Sequence, residues 1–382
     1  MADVKVQGGH KSSQGPVCIW QGMDFPMWLK LLALRPPMDI WHAPKIALTT
    51  AVTLHNSFAG FFERLIYQRR ILAHQVKAPV FILGHWRSGT TLLHNLLSYD
   101  PQFTTTTLYH TLGFHHFLLT EWLAKKLTAP FLPKSRPMDN MEISWDAPQE
   151  DEAIICNLCL ISPYLMTAFH SDDSVYGRFF DMRNITQAEK TKWQESVLYM
   201  LKKISFVGDK RPLLKSPTHT FRVKALLELF PDAKFIHIVR NPYALFPSAI
   251  HMRKQIFTEN GLCYPDFSQI EEDFFKTYQA LFDRLEEDIP LLAPNQYHEV
   301  KYEDFEQDIP GELRKIYDHF EMPGWSDLEP ALMSKMKDLK EYKKNKFREM
   351  DPSLKRKIYE GCRRTFERYD YPAEMEVPAL TS

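Results

Sequence analysis

Residues 79–97 read PVFILGHWRSGTTLLHNLL. The apolar run from Val80 to Leu83 has the length of a buried strand, Gly84 stops it, and an amphipathic helix follows from Thr91 to Ser98. Gly84, Gly89 and Thr91 fit the frame of the phosphate-binding pattern G-x-x-x-x-G-K-[ST], but Thr90 stands where the lysine belongs. A glycine-rich turn between a strand and a helix N-terminus aims backbone N–H groups and the positive helix end at one point. It binds a phosphate whatever the side chains are. In a nucleoside-triphosphate enzyme the lysine handles the outer phosphates, and an acidic strand end helps to hold Mg2+. Here the lysine is missing, and the later apolar strand in KFIHIVRNP ends in Arg240 instead of a carboxylate. Arginine grips bare anionic oxygens bidentately. The pattern therefore predicts a nucleotide with no triphosphate, a second anionic group held elsewhere, and no metal.

The rest of the chain narrows the class. Of 382 residues, 44% are apolar, ample for a large core, and the net charge of −1 supplies no global field to draw in nucleic acid. The five cysteines are scattered; Cys156 and Cys159 fall in the apolar stretch IICNLCLIS and read as buried thiols, consistent with a reducing compartment. No secretory leader is evident, so a cytoplasmic protein is expected. IALTTAVTLHNSFAGFF (47–63) is interrupted by His55 and Asn56, is short for a membrane span, and reads as a core or packing helix. FPMWLKLLALRPP (25–37) is the candidate for peripheral contact with a membrane surface. Oligomeric state leaves no signal.

Strand and helix patterns alternate along the chain. After the first strand and helix comes a long region of helical texture, broken by loops at 129–140 and 146–151. RPLLKSP (211–217), KFIHIVRNP and YHEVKYEDF (297–305) then each carry a strand, with amphipathic helices between them. Such alternation predicts an α/β chain: a P-loop-like three-layer fold with a central parallel sheet and a helical insertion. Residues 1–15 are expected to be disordered, 16–77 to form a helical N-terminal extension, and 78–382 to form the main domain.

PVFILGHWRSGTTLL followed by FIHIVRNPYALFPSAI resembles the sulfotransferases that use 3′-phosphoadenosine 5′-phosphosulfate (PAPS). More narrowly, it is similar to the mostly bacterial group that shares the R-S-G-T-T loop with tyrosylprotein sulfotransferases. The resemblance covers roughly residues 78 to 350. It implies that the loop opened by Gly84, with Arg87, Ser88, Gly89, Thr90 and Thr91, cradles the 5′-phosphosulfate. It further implies that Arg240 and Ser248 clamp the 3′-phosphate, and that Lys215, in the family's K-x-P segment, neutralises the transferring group beside Arg87. No Mg2+ is then required, which explains the absent lysine: the group beyond the first phosphate is a sulfonate to be transferred.

The base is left open. The tyrosylprotein pattern would put a glutamate near Thr107, but DPQFTTTT carries no carboxylate after its aspartate, which argues against a peptide-tyrosine acceptor. Two replacements stand in the sequence. DAPQEDEAI offers Glu150 and Glu152, with Glu152 slightly preferred, although carboxylates at a helix start are also ordinary capping groups. YHTLGFHHF offers His110, His115 and His116, as bases or as walls of a pocket. Bulky apolar segments, LYHTLGFHHFLLTEWL and LISPYLMTAF, suit a small-molecule hydroxyl acceptor that is apolar or lipid-like. The competing readings are a P-loop kinase and a non-catalytic binder of nucleotide or lipid. Calorimetry separates the first of these: adenosine 3′,5′-bisphosphate is expected to bind in EDTA and ATP to compete poorly, whereas Mg2+-dependent ATP binding would indicate a kinase.

Overall fold

In the computed structural model, which describes residues 17–128, 144–169, 173–340 and 350–373, the sheet is built from five strands. They are β1 (Val80–Leu83), β2 (Phe103–Thr104), β3 (Arg211–Lys215), β4 (Lys234–Val239) and β5 (Tyr297–Lys301). Their order is β2-β3-β1-β4-β5, and every pairing is parallel. The disorder expected over 1–15 and the loop at 129–140 lie outside the described residues. The sequence pattern did not reveal β2, whose two residues are too few for a periodicity.

β1 is buried on both faces because helices cover both sides of the sheet, as parallel sheets require. Alternation splits its side chains. Phe81 and Leu83 join a core with Trp20, Trp28, Trp193 and Leu214, while Val80 and Ile82 join a second core with Leu93, Ile236, Leu313 and Ile316. The chain leaves β1 for β2 and β3 on one side, then crosses to β4 on the other. The carboxyl end of β1 is thus a topological switch point, where ligands of open α/β sheets bind. Lys215 is in register with Ile82, and His237 with Leu83, so Arg240 emerges just beyond the same edge.

The N-terminal helices share this architecture. The Phe25–Ala33 helix, the candidate for contact with a membrane surface, buries Met27, Trp28 and Leu31 in the core containing Phe81 and leaves Leu29 and Lys30 exposed. The Ala43–Ala73 helix, read as a packing helix of apolar character, turns Lys45, Thr49, Thr53, Asn56 and Glu63 inward. Partners explain the reversal. Asn56 Nδ2 donates to the carbonyls of Gln21 (2.7 Å) and Met23 (2.9 Å), Lys45 Nζ donates to the Glu259 carbonyl (2.9 Å), and Glu63 forms a buried ion pair with Lys203. All five cysteines are free thiols, and burial pushes Cys159 up to about 11.

Buried imidazoles give the fold a pH dependence. Loss of hydration lowers His85 to about 4, and His94, His115 and His116 to about 3. The unfolded chain protonates these groups near 6.5, so below that pH it binds more protons than the folded chain and stability falls as pH falls. Each imidazole costs the fold about 1.4 kcal/mol per pH unit in that window. Glu63 and Asp288, whose carboxyls burial pushes up, act in the opposite sense but are fewer. Tm is expected to drop by several degrees between about pH 7 and about pH 5 in a thermal melt; a flat or rising Tm would mean that these imidazoles are charged in the folded protein.

Candidate active site

The turn after β1 takes its shape from three residues in the positive-φ region: Gly84 (143°), Arg87 (71°) and Gly89 (107°). A Cβ on Gly84 would lie 2.6 Å from the Ile238 carbonyl oxygen, and one on Gly89 would lie 2.3 Å from the Tyr302 ring, so only glycine fits at either place. Gly89 caps the helix Thr90–Leu97, directing its free N–H groups into the turn. Gly84 N–H donates to Thr220 Oγ1 (2.8 Å), tying the turn to the segment that follows β3. Among the described residues Ser88 Oγ is buried with no hydrogen-bond partner, an unsatisfied polar atom in the cradle that an anion would complete. Arg87 holds a left-handed backbone that non-glycine residues adopt chiefly at strained functional positions.

Two further groups meet this turn. Arg240 follows directly on β4; its Nη1 donates to the Arg87 carbonyl (3.1 Å), and its guanidinium lies 4.3 Å from the centre of the Tyr302 ring. Ser248, in the Pro242–Asn260 helix, accepts from Arg87 Nε at 2.9 Å. Arg87, Arg240 and Ser248 therefore converge beside the Gly84–Thr91 turn, where two cations and a hydroxyl suit a second phosphate.

At the end of β3, Lys215 is buried, and its Nζ lies 2.8 Å from Glu150 Oε1. The Tyr164 hydroxyl donates to the other oxygen of the same carboxylate. Burial, with the Glu150 charge beside it, raises Tyr164 well above the ordinary phenol range, so it stays a neutral donor. A local pairing delivers Glu150. Thr107 and Pro148 form a bridge, Gln149 N–H donates to the Thr106 carbonyl (2.9 Å), and Thr106 Oγ1 donates to the Gln149 carbonyl (2.7 Å). The carboxylate that the segment before Thr107 lacks thus arrives from residue 150, across that bridge.

Its neighbours do different work. Asp151 lies 2.8 Å from His219 Nε2 and accepts from Ser216 Oγ (3.0 Å); burial pushes its carboxyl up, but His219 and Ser216 outweigh that and hold it low. Glu152 is completely buried. It takes a bidentate pair from Arg222 (2.8 and 3.0 Å) and hydrogen bonds from Ser162 (2.6 Å) and Thr218 (2.8 Å). Three successive carboxylates therefore meet Lys215, His219 and Arg222 in turn. Glu152, preferred in the sequence, has both oxygens committed to this internal network, and Glu150 is the carboxylate beside Lys215.

The histidines lie apart from this cluster. His110 caps its own helix and faces Glu121 (3.4 Å), His116 contacts Asn56 (3.0 Å) and Thr120 (2.6 Å), and His115 packs on Gly60. His115 and His116 sit in the seam with the Ala43–Ala73 helix, and none of the three lines the cavity beside the turn. That cavity encloses about 680 Å3, counted to its open mouth. Its walls include Trp86, Tyr164, Met166, Phe180, Ile256 and Phe257, so LISPYLMTAF contributes to it and LYHTLGFHHFLLTEWL does not. Sequence reading passed over Tyr302, Thr220 and the wall of the Pro242–Asn260 helix. Only Ala249, Ile250, Arg253 and Ile256, at helical spacing just after Ser248, carried a signal.

Comparison with known proteins agrees with this geometry. Residues 79–327 match the model of the sulfotransferase family. The omega-hydroxy-beta-dihydromenaquinone-9 sulfotransferase Stf3 of Mycobacterium bovis is 37% identical over 367 residues, spanning 94% of this chain and 93% of the relative. The corresponding Mycobacterium tuberculosis protein matches equally well. Among solved structures, sulfotransferase STF9 from Mycobacterium avium superposes with a TM-score of 0.67 at 18% identity, covering 93% of this chain and 94% of its own. STF1 from Mycobacterium tuberculosis gives 0.61 at 19% identity, covering 81% and 84%. These two share the fold. A family match over most of the chain, with a 37% identical relative along nearly its whole length, establishes that this chain is an enzyme of the sulfotransferase family.

Proposed function

We propose that the enzyme transfers the sulfuryl group of PAPS to the hydroxyl of an apolar, lipid-like acceptor, with Glu150 as general base and Lys215 as the stabilising cation. The observation that carries this reading is the 2.8 Å contact between Lys215 and Glu150, set between the anion-binding turn and the apolar cavity. The protein's residues fit the donor. Backbone N–H groups of the Gly84–Thr91 turn and the unsatisfied Ser88 hydroxyl suit the 5′ side, and Arg87, Arg240 and Ser248 suit the 3′-phosphate. No metal enters this scheme. The relative Stf3 acts, by its name, on a hydroxylated menaquinone, and most of the side chains that wall the cavity here are apolar. On this reading the enzyme works in the cytoplasm, at a membrane surface where such an acceptor resides.

The donor supplies an activated sulfuryl group, whose bond to the 5′-phosphate breaks as the acceptor oxygen bonds to sulfur. Glu150 takes up the proton by relay: Tyr164, on the cavity wall, passes its hydroxyl proton to Glu150 and receives the acceptor's hydroxyl proton in its place. A protonated Glu150 no longer holds the Lys215 ammonium, which then turns to the negative charge on the transferring oxygens. Apolar walls exclude water that would compete as acceptor. Glu152, Asp151 and their partners hold the loop so that Glu150 keeps its place.

Glu150→Gln is expected to lower kcat by about 10^2–10^4-fold while adenosine 3′,5′-bisphosphate affinity and Tm stay near wild type. Glu152→Gln is expected instead to cost about 3–5 kcal/mol of stability by stranding Arg222. Turnover of labelled PAPS and thermal melts distinguish them; an active, folded Glu150→Gln enzyme would remove Glu150 from the role of base. Arg240→Ala is expected to weaken nucleotide binding by about 2–4 kcal/mol in calorimetry, and a loss below about threefold (~0.7 kcal/mol) would dismiss the clamp.

A further inference from the structure

The Ala43–Ala73 helix is inside out. Its buried side carries Lys45, Thr49, Thr53, Asn56, Gly60 and Glu63, while Leu54, Phe58, Phe61, Phe62, Leu65 and Ile66 face solvent. Surface helices of soluble proteins are polarised the other way. The exposure is large, 67% at Phe58 and 68% at Leu65, and the rings of Phe58, Phe61 and Phe62 pack against one another to form one patch. Just before the helix, Ile40 and Trp41 are more than three-quarters exposed. The neighbouring Phe117–Thr128 helix, joined to Glu63 through the Leu118 N–H (2.7 Å), adds an exposed Trp122. Contiguous apolar surface of this kind marks a docking face.

Charge identifies the occupant. Between residues 25 and 73 every exposed charged side chain is cationic: Lys30, Arg35, Arg64, Arg69 and Arg70. The acids of this stretch, Asp39 and Glu63, are half-buried and buried, engaged by His42 and Lys203. An apolar strip flanked by arginines matches an anionic lipid surface. A two-fold pairing with another copy would instead set one cationic face against another. Among the described residues, no single helix is long and apolar enough to cross a membrane. The start of this helix and the segment before it are tied to the cavity wall. Ile256 and Phe257 line it, and directly after them the carbonyls of Glu259, Asn260 and Leu262 accept from Lys45, Trp20 and the Asp39 N–H.

We propose that this face seats the enzyme flat on an anionic bilayer, with Phe58, Phe61, Phe62, Leu65 and Ile66 at the acyl boundary and Arg64, Arg69 and Arg70 on headgroup phosphates. Its purpose rests on the reading of the cavity as the acceptor site: an enzyme held on the bilayer works beside the phase in which a long apolar alcohol is dissolved. The test measures binding alone. The full chain, with no donor or acceptor, is floated with vesicles of phosphatidylcholine, plain or with about one-third phosphatidylglycerol. It is expected to bind the anionic vesicles at least about tenfold more tightly, less so at high salt. The combined change F58S/F61S/F62S/L65S is expected to abolish that binding, and R64Q/R69Q/R70Q to reduce it to the level on neutral vesicles, both with unchanged affinity for adenosine 3′,5′-bisphosphate. Failure of the wild-type chain to bind, or equal binding by the serine variant, overturns the proposal. A dimer in light scattering that the same serines dissociate would assign the face to a second copy. Because no turnover is read, failure of the acceptor or base assignment leaves this result standing.

Discussion

Parallel strands deliver their carboxyl ends to one edge, and that constraint arranges everything else in the site. β3, β1 and β4 are neighbours, so the residues that leave them are neighbours too. β3 ends in Lys215, β1 opens into the Gly84–Thr91 turn, and β4 passes to Arg240. Three stretches far apart in the chain thus bring a lysine, a glycine turn and an arginine to one edge, the groups that the proposed function assigns to the reacting group and the donor's two phosphates. The glycines matter because the turn packs tightly on Ile238 and Tyr302 and because its backbone lies in the left-handed region. Tyr302 touches both features, crowding Gly89 and stacking on Arg240, so the two anion pockets are mechanically linked.

The acidic run 150–152 shows how a buried ionic network can serve position more than stability. Burying an ion pair costs hydration that mutual attraction only partly restores, so the Glu152–Arg222 and Asp151–His219 contacts add little net stability. They do fix geometry. Arg222 also donates to the carbonyls of Phe179 (2.8 Å) and Phe180 (3.1 Å), and Phe180 is a wall of the cavity. One network therefore orients the Glu150 loop, the segment after β3 and part of the acceptor wall. Glu150, a quarter exposed, is the member of the run that meets Lys215 and the Tyr164 hydroxyl instead of joining that network.

Much of the donor side was legible because its conformation is encoded locally. Gly84 and Gly89 demand the turn, and Arg240 at a strand end is set beside it by the parallel register. The choice between Glu150 and Glu152 was not legible. Both stand at one helix start, and only the pairing of residues 106–107 with 148–149, together with Arg222 arriving from the other side, separates them. The histidine-rich segment failed for a related reason: aromatic and imidazole groups suit a pocket wall and an interhelical seam equally, and the partner decides. The Ala43–Ala73 helix is the extreme case. Its sequence shows two faces, but Asn56, Lys45 and Glu63 go inward only because carbonyls and Lys203 wait there. Composition cannot reveal those partners.

The most direct measurement is a crystal structure of the enzyme with adenosine 3′,5′-bisphosphate bound. One phosphate should lie on the amides of the Gly84–Thr91 turn and on Ser88 Oγ, and the other between Arg87, Arg240 and Ser248. The position for a sulfonate beyond the first should face Lys215 and Glu150 across the mouth of the apolar cavity. A nucleotide seated with its phosphates away from Arg240, or with Lys215 and Glu150 on the side opposite its 5′-phosphate, would contradict the shared grip on which the chemistry depends.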